Sequence, residues 1–208
     1  KTLTAVLGVV KRLQLGLSTK AVVVVPKNVL GQWQDAFYAL YPGLADWLLP
    51  GSDRAFDAAN RRRFLLQAAT GGAKVILLTY EQFRSVSIQP ETFRAYLRRE
   101  VLDLEQALIG TAEDDPSQRG LQRAFKQREK ALADFSAKYE DKWKKVQKAG
   151  ESDLSWEKWG VDLLVSDEFH SFKGDIVLTK MQGVSGLPRG ESQRAFDMRV
   201  KLHYVTTP

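Results

Sequence analysis

The sequence predicts an α/β domain built on a mostly parallel sheet with helices on both faces. Three runs carry that prediction: Ala21–Val25, Lys74–Leu78 and Val161–Val165 are apolar but for Lys74 and Asp162 and lack alternation, as strands buried on both faces do. Stretches of helical spacing lie between them, and such alternation marks a sheet wound by crossover helices. The polar residues after each run, Pro26-Lys27-Asn28, Thr79-Tyr80 and Asp167-Glu168, therefore gather at the carboxyl ends of the strands, where ligands of such sheets bind.

Each element has its own local reason. Leu3, Val6, Leu7, Val10 and Leu13 recur at helical spacing, with Gly16 placed to end the helix. The β-branched run to Val25 stops at Pro26, and Asn28 is a candidate cap for a helix whose apolar face holds Leu30, Trp33, Phe37 and Leu40. Pro42-Gly43 closes it. Arg54 to Ala69 reads as helical up to Gly71-Gly72, and Tyr204-Val205 as part of a fourth strand. From about 91 to 158 the strand runs vanish. Leu121, Phe125, Leu132, Phe135, Tyr139, Trp143 and Val146 give a long amphipathic helix, paired with one from Phe93 to Leu108 across the acidic turn Glu113-Asp114-Asp115-Pro116. This segment reads as a helical hairpin inserted into a sheet domain formed by 1–90 and 159–208. It is either a solvated pair packed on the domain edge or an arm that grips DNA or a partner.

The 208 residues suffice for one substantial core. A mean hydropathy of -0.30 is that of an ordinary globular chain. No apolar run approaches the roughly 18 residues of a membrane-spanning helix, and Lys1 opens an amphipathic pattern rather than a secretory leader. The absence of Met at the start and of a stop signal before Pro208 reads as a piece of a longer protein. With no cysteine there is neither a disulfide framework nor a thiolate metal site, and a cytoplasmic location is expected. A net charge of +6 favours polyanionic partners.

Asp167-Glu168-Phe169-His170, directly after an apolar strand, is the most informative stretch. An acidic pair there suits a nucleotide hydrolase: Asp167 to hold magnesium, Glu168 to polarise the attacking water. His170 is then a link to neighbouring motifs, or simply a satisfied histidine. Lys1-Thr2, opening a helix, matches the last two residues of a phosphate-binding loop, where Lys reaches the terminal phosphates and the hydroxyl coordinates the metal. The expected cofactors are ATP and Mg2+, with Lys1, Thr2 and His170 at the nucleotide and Asp167 and Thr2 at the metal. Thr79 with Gln82 has capping-box spacing, while Lys27, Asn28, Thr79 and Tyr80 start helices whose free amides could also meet a nucleic-acid phosphate. Trp33 and Trp47 read as core, and Arg61-Arg62-Arg63 as a solvated face or a phosphate patch.

Taken in order, KT…VVVVPKNVLGQWQDAF…VILLTYEQF…DLLVSDEFHSFK resembles the first RecA-like lobe of superfamily 2 helicase-like ATPases. The likeness is to the SWI/SNF-type branch and to phage and plasmid helicase–DNA-methylase fusions, with a DEAH-like box. It implies a three-layer P-loop NTPase lobe, a track for double-stranded DNA beside Lys27 and Thr79, and hydrolysis at Asp167 and Glu168. A second RecA-like lobe and a possible methylase module are the implied partners outside this chain, so the piece alone is expected to be inactive. Phe169 departs from the alanine usual between Glu and His, and is expected to alter packing under the nucleotide. GLPRGESQRAFDMRVKLHYV resembles the helix and strand leading to motif III. The rival readings are a non-catalytic nucleic-acid-binding or docking module with the same fold, and an assembly element built on the hairpin.

Overall fold

The computed structural model describes residues 1–109, 116–172 and 193–207. The acidic turn at 113–115, the side chains of Leu121, Leu132 and Phe135, and the stretch 186–192 lie outside the described residues or side chains. Among those described, the strands are β1 (Ala21–Val25), β2 (Leu48–Pro50), β3 (Val75–Thr79) and β4 (Leu163–Ser166). They form one sheet in the order β2-β3-β1-β4, with every pairing parallel. The α-helices are α1 (Thr2–Gln14), α2 (Leu30–Leu40), α3 (Arg61–Thr70), α4 (Tyr80–Ser85), α5 (Pro90–Ile109), α6 (Pro116–Lys148) and α7 (Gln193–Thr206). This is the α/β architecture of a RecA-like lobe.

Strand periodicity divides the core in two. Ala21, Val23, Val25, Val75 and Leu77 pack under α1 and α2 with Val6, Val10, Trp33 and Phe37. Val22, Val24, Ile76 and Leu78 pack on the other face with Phe64, Phe83, Phe93, Trp156 and Phe196. Every residue of β1 and β3 is buried, which is why these strands show no alternation. The base of the α5–α6 hairpin belongs to the second cluster. Phe93 stacks on Tyr139 at 4.1 Å and meets Phe196 edge-on at 5.7 Å.

Several local readings need correction. Asn28 caps nothing: 27–29 form a 3-10 turn, and α2 begins at Leu30 without a side-chain cap. The helix expected from Arg54 begins at Arg61, because Asp57 and Asn60 fold the preceding residues into a hydrogen-bonded turn. Tyr204 and Val205 are helical, not extended. Asp197 and Lys201, one turn apart, pair at 2.7 Å, and Phe196 and Val200 face the core at the same spacing. The strand expected at 161–165 begins only at Leu163. Asp162 instead turns its carboxylate back to accept from the Thr19 N–H and hydroxyl, each at 2.7 Å, and from the Lys20 N–H at 3.1 Å. Burial alone pushes that carboxyl up, but these hydrogen bonds outweigh it and hold it below its ordinary range. β2 escapes a sequence reading because it is three residues long and ends in Pro50, tolerated at a sheet edge. Gly16 does end α1. Its φ of 68° lets its N–H and that of Leu17 return to the Leu13 and Arg12 carbonyls.

Candidate functional site

β4 ends at Ser166 and the chain turns at once through Asp167 and Glu168. The Asp167 N–H continues the ladder by donating to the Val24 carbonyl at 2.9 Å. Its carboxylate is fixed at both oxygens. The Trp33 indole donates to Oδ2 at 3.1 Å, and the Glu168 N–H donates to Oδ1 at 3.0 Å. Trp33 is core, as its spacing implies, but a buried indole N–H needs an acceptor. Here the acceptor is the first acid of the pair. That requirement was the signal available in the sequence, though nothing local names the partner 134 residues away.

Glu168 has a left-handed backbone, φ 49°, a conformation that costs a side-chain-bearing residue about 1–2 kcal/mol. Its surroundings hold it there. The Tyr80 hydroxyl donates to the Asp167 carbonyl at 2.7 Å and lies 3.4 Å from the Glu168 carbonyl, which also accepts from the Ser171 N–H at 2.9 Å. The two acids consequently diverge, Asp167 toward Trp33 and Glu168 toward solvent. Glu168 Oε2 lies 3.0 Å from His170 Nδ1, and both side chains are largely exposed. Phe169 does not enter the core. Its ring is at the surface, 5.8 Å from that of Phe172, which is buried and packs edge-on against Tyr80.

Lys1 is exposed and Thr2 half-buried at the start of α1. Among the described residues neither side chain hydrogen-bonds to the acids. The link is indirect: Val6 and Val9, within the next two turns, border one small internal void together with Trp33 and Phe37. The tryptophan that fixes Asp167 thus also abuts the helix that Lys1-Thr2 opens.

Lys27 and Asn28 are exposed after β1, and Lys27 pairs with Asp53 at 2.9 Å in a solvent-exposed contact of small energetic weight. Thr79 is buried, and both arms of the capping box are made. Thr79 Oγ1 accepts from the Gln82 N–H at 3.3 Å, and Gln82 Oε1 accepts from the Thr79 N–H at 2.8 Å. Lys27, Thr79 and Tyr80 line one open groove of about 500 Å³ with Asp53, Phe56 and Arg61. Arg61 is no solvated charge. Its Nε lies 3.1 Å from both Glu151 oxygens, and its two terminal nitrogens donate to the Ser85 hydroxyl and carbonyl at 2.8 and 2.9 Å. The structure therefore joins Trp33, Tyr80, Asp167 and Glu168 into one network, and leaves Lys27 and Asn28 on the rim.

No curated protein and no solved structure matches the chain. The family model described as "Probable helicase domain" matches residues 1–207. With nearly the whole chain matched and an all-parallel α/β sheet carrying the acid pair at its carboxyl edge, the chain belongs to that helicase-domain family.

Proposed function

We propose that the chain is the ATP-binding lobe of a superfamily 2 translocase or helicase that couples ATP hydrolysis to movement along nucleic acid. The observation that carries this reading is the strained turn after β4. Left-handed backbone at a carboxylate persists only where surroundings over-determine it, and such strain gathers at functional sites. Membership of the helicase-domain family supports it further.

The donor set fits a magnesium–nucleotide. A carboxylate offers about four lone-pair positions; Asp167 uses one on each oxygen and keeps the others. Mg2+ is usually held by one or two carboxylates together with waters and phosphates. A protein-only cluster is therefore not required, and none exists among the described residues. Asp167 and the Thr2 hydroxyl would hold the ion and Lys1 the terminal phosphates. Bound Mg2+ supplies charge neutralisation on the phosphates. Glu168 would orient the attacking water by accepting its hydrogen bond, with His170 Nδ1 3.0 Å from Oε2 beside it. The groove lined by Lys27, Thr79 and Tyr80 takes the nucleic-acid backbone, with Asn28 next to it in the chain. Tyr80 touches both that groove and the acid pair, which makes it the route by which strand contact reaches hydrolysis.

The test is nucleic-acid-stimulated ATP turnover by the full-length protein carrying this chain. Glu168→Gln keeps the shape and removes the charge, so turnover should fall by about 100-fold or more with ATP binding retained. Unchanged turnover would remove the catalytic assignment.

A further inference from the structure

A second cleft lies across α4 from the groove and opens on the hairpin. Its volume is about 390 Å³, and its walls include Glu81, Arg84, Lys138, Lys142 and Asp197, over the Phe93–Tyr139 stack. The two depressions share Glu81 and Ser85. They therefore adjoin each other at α4.

The charges here do not balance. Glu81 is a single carboxylate serving two guanidiniums, Arg84 at 3.1 Å and Arg194 at 2.9 Å. Asp197, the other acid in the cleft, is neutralised from inside by the wholly buried Lys201 at 2.7 Å. Lys142 Nζ donates to the Arg84 carbonyl at 3.3 Å and lies 5.9 Å from the centre of the Tyr139 ring. Among the described residues neither Lys138 nor Lys142 pairs with a carboxylate. The burial of Lys201 matters here, because without it Asp197 would present a second negative charge to the cleft.

We infer that this cleft is a phosphate-binding extension of the nucleic-acid groove, in which Arg84, Lys138 and Lys142 carry the backbone past α4 onto the base of the α5–α6 hairpin. The occupant is a nucleic-acid strand, because Arg84, Lys138 and Lys142 are spread over two helices in a cleft adjoining the groove rather than focused at one point, and such contacts are sequence-independent. The inference rests on the translocase reading and gives the hairpin a role within it.

The experiment is equilibrium binding of labelled duplex and single-stranded oligonucleotides to the full-length protein over a range of salt concentrations. Lys138→Glu with Lys142→Glu should weaken binding about tenfold or more at low salt. Loss of two phosphate contacts should also make the slope of log K against log salt shallower by about 1.8 for the duplex and about 1.4 for the single strand. If the reversed variant does not fold by thermal melting, Lys138→Gln with Lys142→Gln decides, with the same shallower slope expected. Unchanged affinity and slope, while Lys27→Ala weakens binding, overturns the inference and leaves the translocase reading standing. If the wild-type protein binds neither nucleic acid, that reading falls and the inference with it.

Discussion

The Trp33 indole in α2 holds the carboxylate of Asp167 after β4 by one hydrogen bond at 3.1 Å. Trp33→Phe retains the ring in its pocket and removes only the N–H. Hydrogen bonds to charged groups contribute about 1.5–3 kcal/mol, and water can partly replace this one at a half-buried carboxylate. We expect a loss of about 1–2 kcal/mol in urea unfolding. ATP turnover should fall several-fold more than that of Trp47→Phe, a tryptophan whose ring meets Lys74 at the amino ends of β2 and β3, away from the acids. Equal turnover in the two variants would show that Asp167 does not need its anchor. At this scale the sequence shows where the polar residues fall along the chain and is silent about their partners. Asp167, Glu168 and Tyr80 stand out by their position after strands, whereas the contacts that orient them cross most of the chain.

Elements succeed or fail by how local their causes are. The capping box that starts α4 was legible as Thr79 and Gln82 three residues apart, and both of its bonds are made. What spacing could not reveal is the second job of Gln82, whose Nε2 donates to the Gly51 carbonyl at 2.7 Å and joins α4 to the end of β2. A methyl group at Gly51 would sit 2.7 Å from Gln82 Oε1 and 3.0 Å from the Leu77 carbonyl oxygen. Gly51→Ala should therefore destabilise by about 1–3 kcal/mol, measured by thermal unfolding, as overpacking of a closed site does. An unaffected melting temperature would mean that the edge strand yields freely. The misread Tyr204-Val205 shows the opposite case: its β-branched character was outweighed by the helical ion pair and the core-facing residues before it in α7.

At the scale of the whole molecule, the buried Lys201 sets a pH dependence. Burial drives its ammonium from 10.5 down to about 8, despite the opposing Asp197. Below pH 8 both folded and unfolded chains hold this proton, and the folded state bears the cost of enclosing it. Between about pH 8 and 10.5 the unfolded chain binds more protons, so stability rises with pH. Burial raises the Tyr139 phenol above its ordinary 10.0, which turns the trend downward at higher pH. Urea midpoints should climb between about pH 8 and 10 in the wild type and climb markedly less in Lys201→Met, where the partly buried Lys20 is the remaining lowered ammonium. A flat wild-type profile would refute the assignment. By itself the sequence determined the parallel sheet, the helical hairpin and the acid pair at a strand end, because apolar runs, helical spacing and residue order are local properties of the chain. Only the tertiary structure decided that Trp33 and Tyr80 fix the acids, that Arg61 is an internal tie, and that the cations of α4 and α6 share one cleft. Those facts depend on which elements become neighbours, and packing alone chooses the neighbours.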